Sequence, residues 1–277
     1  MTTQQRESTD KLIGVPETLM ITLYARYVES QRSPGILYDA KAVEIAERIE
    51  YNFEKYVKGW VSQLACVIRA REYDRIVQNF IEAHPNAVIV NLGAGLCTRF
   101  SRIDNGKIHW YEVDFPEVTQ LRRKFFEETP RYRFIARSLL DFSWIDEVHR
   151  ETNQPLLVLM EGVSMYLTEA ENRGWLQQVC DRLASTEVVF DVMNRRRAKR
   201  TRQHDTVSKT SAEFKWGIDD SRELETWHES ISFKQDTYYL TQFANYRDRL
   251  PWWARSLSFI LMPIFKNSSR IVQLQIA

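Results

Sequence analysis

The sequence predicts an α/β fold, a doubly wound and largely parallel sheet with a nucleotide-type cofactor site at its carboxyl edge. Three observations carry that prediction. Ala87 to Leu92 is a short apolar run rich in β-branched residues, the pattern of a buried strand, and it runs straight into Gly93-Ala-Gly95. The next apolar run closes on Asp114, about 20 residues beyond Gly95, where an acid grips a ribose diol in such folds. Residues 80–192 alternate strand-like and helix-like stretches with no internal repeat, which argues one doubly wound domain.

Gly93 and Gly95 permit a tight turn and a close backbone approach to a ligand. Leu96 to Ile103 can then begin a helix whose free N–H groups point back at that turn. Thr98 stands where a dinucleotide fingerprint has its third glycine. Alone, Gly-x-Gly fits an ordinary tight turn as well as a cofactor loop. The second strand, Lys107 to Val113, ends in Asp114-Phe-Pro116. A carboxylate there can accept from both ribose hydroxyls at once; the plainer reading is a solvated turn aspartate before a proline. Glu112 is the competing acid, and strand alternation is expected to send it to the other face.

The remaining elements follow in order. Residues 1–80 read as a helical cap, with one helix from Val15-Pro-Glu through Glu29 that Ser33-Pro-Gly35 breaks. A second helix runs from Ala40 to Glu50 and a third from about Tyr56 to Phe80. Residues 81–277 form the core. Pro116 to Glu128 is a helix carrying Arg122, Arg123 and Lys124 on solvated faces. Tyr132 to Ile135 is the third strand, followed by a helix near Trp144 to Thr152. Pro155 to Met160 is a strongly apolar fourth strand ending at Glu161, with its tip at the ligand edge. Glu169 to Ala184 is a helix, and Glu187 to Phe190 a fifth strand ending in Asp191.

Residues 193–228 read as a substrate-side insertion or lid that opens on the charge run Asn194 to Arg202. Such a run is ordinarily a solvated face, and otherwise captures an anionic substrate, a phosphopantetheine arm or RNA. Asp219 to Thr226 is a helix, and Phe233 to Leu240 and Arg270 to Ile276 are the closing antiparallel strands. The helix at Pro251-Trp-Trp lies between them. The most apolar stretch, Trp252 to Phe265, is interrupted by Arg255 and too short to span a bilayer. It reads as a core helix, with an interfacial helix as the alternative.

Composition fits one compact globular unit. A chain of 277 residues can bury a substantial core, and 44% hydrophobic with 27% charged residues is ordinary for a folded domain. A net charge of +1 asks for neither nucleic acid nor an acidic membrane surface. Cys66, Cys97 and Cys180 are odd in number and widely spaced, which argues against a disulfide framework or a zinc site and suits a reducing cytoplasm. Met1-Thr-Thr-Gln-Gln-Arg has no apolar signal core.

Asn91-Leu-Gly-Ala-Gly95, Glu112-Val-Asp-Phe-Pro116 and Met160-Glu-Gly-Val-Ser-Met-Tyr-Leu167 resemble the leucine carboxyl methyltransferase family. The closer resemblance is to its bacterial branch, the tetracenomycin-type polyketide O-methyltransferases. It extends through Gly14-Val-Pro-Glu17, Leu23-Tyr-Ala-Arg26, Lys209-Thr, Phe214-Lys-Trp-Gly-Ile-Asp-Asp220, Leu250-Pro-Trp-Trp253 and Arg270-Ile-Val272, nearly the whole chain. The resemblance implies a class I, Rossmann-like fold with a seven-stranded sheet and S-adenosylmethionine as methyl donor.

It also implies roles. Asn91, Gly93, Gly95 and Asp114 would bind the cofactor, and Glu161 would hold its methionyl amino group. Asp141 would accept from the adenine amino group while Phe142 packs on the ring; the plainer reading of Asp141 is a helix N-cap. Arg26 and Arg69 stand at cofactor-side cation positions. Arg69 is the first choice for the methionyl carboxylate, with Arg71 the alternative. Met165 and Tyr166 would border the methyl group, and Arg26, Met165, Lys209 and Trp216 are the candidate acceptor contacts.

A carboxylate acceptor is ionised at neutral pH and needs no base, whereas a phenol, with a pKa of about 10, gains from one. Of the five histidines, His204 is the candidate base, with Tyr166 beside it as a catalytic candidate. The expected function is O-methylation of a small acidic or phenolic metabolite, free or carrier-bound. Methylation of a protein C-terminus, a nicotinamide-dependent oxidoreductase and a catalytically silent cofactor-binding partner are the alternatives.

Overall fold

The computed structural model describes residues 7–9, 12–256 and 267–277. Seven strands form the main sheet: β1 Val88–Leu92, β2 His109–Asp114, β3 Tyr132–Ala136, β4 Leu156–Met160, β5 Thr186–Met193, β6 Ile231–Thr237 and β7 Ser269–Ile276. Their order is β3-β2-β1-β4-β5-β7-β6. The ladders among the first five are parallel, and β7 runs antiparallel to both of its neighbours. Strand order reverses between β1 and β4, and a crevice opens outside the carboxyl ends of a parallel sheet at such a switch point.

Every residue of β1 and β4 is buried, as expected of parallel strands covered on both faces. Side chains alternate between two cores. Ile89, Leu157, Leu159 and Val189 pack with Leu23, Ile45, Tyr73 and Val77 from the cap. Val88, Val90, Val158 and Phe190 pack with Trp144, Trp175 and Val179 on the opposite face.

The cap comprises α1 Leu19–Ser30, α2 Ala40–Arg48 and α3 Trp60–Ala83. Asp39 caps α2 by accepting from the Ala42 N–H at 2.9 Å. The second helix stops at Arg48 because Ile49–Glu50 pairs with Glu7–Ser8 in a short parallel ladder. After β1 comes α4 Arg99–Ile103, and after β2 comes α5 Pro116–Arg122. The latter ends six residues short of the expected Glu128, since Phe125 and Phe126 both leave it to enter the core. Two further expected helices are 3-10 segments, Phe142–Glu147 and Ser221–Trp227. Helix α6, Glu169–Arg182, opens on a capping box between Thr168 and Glu171.

Within the insertion, α7 is a single turn, Arg195–Ala198. The expected core helix from Trp252 to Phe265 begins as α8, Trp252–Ser256, and its later part lies outside the described residues. Trp252 is 80% exposed while Ala254 is buried in the core, so the start of α8 turns one face to solvent and one inward. Among the described residues no helix is long and apolar enough to cross a membrane.

Candidate active site

The turn after β1 is built as its glycines require. Gly93 and Gly95 take φ of 66° and 52°, the left-handed region that glycine enters without steric cost. A Cβ on Gly93 would stand 2.5 Å from the Val163 Cγ2. Gly93→Ala is therefore expected to cost both backbone strain and displacement of Val163, and to weaken donor binding at least tenfold in calorimetric titration. Unchanged affinity would show that this turn does not shape the cavity.

Asp114, at the tip of β2, meets the turn. Its Oδ2 accepts from the Gly95 N–H at 2.6 Å and its Oδ1 from the Phe115 N–H at 2.7 Å. Burial pushes its carboxyl up to about 6 even against those bonds and the nearby Arg122 cation. The expected separation of Glu112 from Asp114 by strand alternation does not hold, because residues two apart share a face. Glu112 lies deeper in the strand instead, accepting from Asn91 Nδ2 at 2.7 Å and pairing with Arg122 at 2.5 Å. That network uses up its carboxylate and leaves Asp114 as the acid in the cavity wall.

The other end of the cavity is an ionic lattice. Glu161, one residue past β4, accepts from Arg69 Nε at 3.0 Å and from Arg99 Nη2 at 2.6 Å. Arg69 also pairs with Asp191 of β5 at 3.0 Å, and Arg99 with Asp74 of α3 at 2.8 Å. Burial alone would raise the Glu161 carboxyl, but Arg99 and Arg69 outweigh it and hold the group down at about 2. Arg69 lines the cavity. Arg71, its alternative, turns away to Tyr246 and Gln242. Arg99 is a cavity cation that the sequence reading missed, since one arginine in a short helix carries no periodic signal.

Thr98 ties the cap to this turn. Its hydroxyl accepts from Arg26 Nη1 at 2.6 Å and donates to Asp39 at 2.5 Å, while Arg26 Nη2 reaches the Leu96 carbonyl at 3.0 Å. Arg102 joins the hub through Asp39 at 2.8 Å. The residue that replaces the third glycine is thus the anchor of α1 and α2.

The sequence profile of the leucine carboxyl methyltransferase family matches residues 20–180. The tetracenomycin polyketide synthesis O-methyltransferase TcmP of Streptomyces glaucescens is 34% identical over 228 residues, covering 82% of this chain and 84% of its own. The chain belongs to the leucine carboxyl methyltransferase family. A second relative, the S-adenosyl-L-methionine-dependent methyltransferase dpfgK of Gibberella zeae, is 28% identical over 84% of this chain and 85% of its own. In fold, the chain is similar to a duf574 family protein from Streptomyces avermitilis, with a TM-score of 0.58 at 12% identity, covering 94% and 97% of the two chains.

For a leucine carboxyl methyltransferase the donor is S-adenosylmethionine, and the cavity has two ends of suitable chemistry. Glu161, Arg69 and Arg99 line a charged end, and Phe115, Val118 and Leu139 an apolar one. Asp114 and the glycine turn stand in the same wall.

Other expected site residues lie elsewhere. Asp141 and Phe142 are not in the cavity wall; Leu139 is. The Asp141 carboxylate is 49% exposed, pairs with Arg137 and caps the following 3-10 turn at Ser143, the plainer of its two expected roles. Lys209 donates to the Lys55 carbonyl and so ties the insertion to the cap, while Trp216 is buried against Trp227 of the same insertion, with ring centroids 5.8 Å apart. The Met165 carbonyl accepts from the Lys215 N–H at 2.7 Å, which fixes the insertion to the loop after β4.

Tyr166 and His204 meet through Phe214, with ring centroids 5.5 and 5.4 Å away respectively. Burial raises the Tyr166 hydroxyl well above its ordinary value. His204 Nδ1 faces the N–H groups of Val207 at 3.3 Å and Thr206 at 3.5 Å and also stands 3.5 Å from Asp205 Oδ1. Burial and Arg197 push the imidazole down to about 4, against the opposing pull of Asp205. An imidazole pushed down that far is a weak base.

Proposed function

We propose that the protein transfers a methyl group from S-adenosylmethionine to an oxygen of a small natural-product acceptor of polyketide type, one that arrives already ionised. The observation that carries this reading is one cavity at the strand switch point that joins Asp114 and the Gly93–Gly95 turn to the Glu161–Arg69–Arg99 lattice. Asp114 would take the ribose hydroxyls, Glu161 the methionyl amino group and Arg69 the carboxylate. The names of both relatives support the class of reaction, and that of TcmP supports the substrate class.

The sulfonium supplies an activated methyl group, so the chain has to align the acceptor and exclude water. Buried Tyr166 with half-buried Phe214 and His204 borders the loop that follows Glu161, and these rings suit an apolar, aromatic acceptor body. With His204 so weak a base, an acidic acceptor oxygen fits better than an alcohol. The fit to an ionised acceptor holds for a free metabolite and for one delivered on a carrier protein in the cytoplasm.

Calorimetric titration with S-adenosylhomocysteine, with NADH as the parallel control, tests the donor. Binding of NADH alone would overturn the reading. Incubation with aromatic carboxylic acids and phenols, followed by mild alkali, then separates ester from ether products, since only a methyl ester is saponified. His204→Gln is expected to lose less than about tenfold in kcat, against the 10²–10⁴ expected when a general base is removed. A larger loss, concentrated on phenols and relieved at high pH, would restore the base role.

A further inference from the structure

Behind the glycine turn, on the side away from the cavity, lies a cation that the donor chemistry leaves unused. Arg122 closes α5, where the sequence places a solvated face, yet it is 1% exposed. Its Nη1 donates to the Gly95 carbonyl at 2.8 Å and its Nη2 to the Cys97 carbonyl at 2.8 Å. The same guanidinium pairs with Glu112 at 2.5 Å and lies 4.4 Å from the centre of the Phe126 ring. Its Nη2 also donates to the Tyr132 hydroxyl, while its Nε has no hydrogen-bond partner, so the fork is set by the two carbonyls, the acid and that hydroxyl rather than by saturation of its own donors.

A trans peptide points its N–H opposite to its C=O. Holding the Gly95 carbonyl from behind therefore aims the Leu96 N–H forward, and that N–H makes no hydrogen bond among the described residues. Leu96 lines the cavity. The grip on Gly95 also fixes the residue whose own N–H meets Asp114.

We infer that Arg122 is a positioning residue of the donor site, holding the glycine turn by two carbonyl oxygens so that its amides and the Asp114 carboxylate face the ribose. The inference rests on the S-adenosylmethionine reading of the cavity. Arg122 has a second effect through its charge. The groups facing Asp114 are Glu112 in its own strand, Arg122 from α5, and the Gly95 and Phe115 N–H groups; of the two charged ones, Arg122 favours the carboxylate and Glu112 opposes it.

The two effects separate by substitution. Arg122→Lys keeps the charge and loses the planar fork. It is expected to weaken S-adenosylhomocysteine binding about tenfold, raise the donor KM with little change in kcat, and leave the pH midpoint of donor binding in place. Arg122→Met is expected to weaken binding further and move that midpoint to higher pH, a shift that a purely structural role would not produce. Because it strands Glu112, the double variant Arg122→Met/Glu112→Gln provides a charge-neutral form, expected to show at least the loss of Arg122→Lys. Either the lysine variant or the double variant binding within about twofold of wild type, with a wild-type circular dichroism spectrum, overturns the inference. Wild-type protein that fails to bind S-adenosylhomocysteine overturns the donor reading instead.

Discussion

Asp114→Ala is expected to weaken S-adenosylhomocysteine binding by about 10²-fold or more. Two hydrogen bonds to a charged acceptor are lost, each worth about 1.5–3 kcal/mol, and every 1.4 kcal/mol is tenfold in affinity. The pH dependence should change with it. Because burial pushes the Asp114 carboxyl up to about 6, wild-type affinity should fall as the pH drops through that value, while the residual affinity of the variant stays flat. The linkage to stability has the opposite sense. A carboxyl raised in the fold is easier to protonate there than in the unfolded chain. Its contribution to stability is full below the ordinary 3.8 and is lost as the pH rises through about 6. Thermal melts of the ligand-free protein between pH 4 and 7 should show this slope in wild type and not in Asp114→Ala. Tight donor binding by the variant would refute the ribose assignment.

Glu161→Ala is expected to damage fold and site together. Two arginines, Arg69 and Arg99, lose a carboxylate at 3.0 and 2.6 Å, and breaking a buried pair typically costs about 3–5 kcal/mol. For a chain of this size that lowers Tm by about 10 °C, with donor binding lost as well. The sign of its pH effect opposes that of Asp114. The Glu161 carboxyl is held down at about 2, so its contribution is full above the ordinary 4.5 and disappears as the pH falls toward 2. A Glu161→Ala protein with wild-type Tm would show that the lattice is decoration rather than support.

The sheet was largely legible because its strands carry their own signals. β4 is apolar throughout and β1 is apolar but for Asn91, and the glycines mark where β1 must stop. Asp114 could be placed by spacing and Glu161 by its position at a strand end. Arg99 and Arg122 were not legible: in the sequence each has another cation close by, Arg102 and Arg123, and only tertiary packing decides which points inward. Asp141 is absent from the cavity wall for a related reason. The segment after β3 turns two residues before it, which puts Leu139 in the wall and Asp141 in solvent. The contacts of residues 193–228 were not legible, because Lys209 is held by a carbonyl of the cap and Trp216 and His204 by ring contacts that no sequence period marks.

The hub at Thr98 also bears on how relatives with this architecture can be recombined. A helical cap carrying a different acceptor preference cannot simply be grafted onto this sheet. It would arrive with its own version of Arg26 and Asp39, and these must find a hydroxyl and an arginine waiting at the positions of Thr98 and Arg102. A chimera that exchanges the cap but not those two partners would bury an unmatched charge beside the turn. Cap and turn therefore form a single exchangeable module that is discontinuous in sequence, and a swap should carry both across.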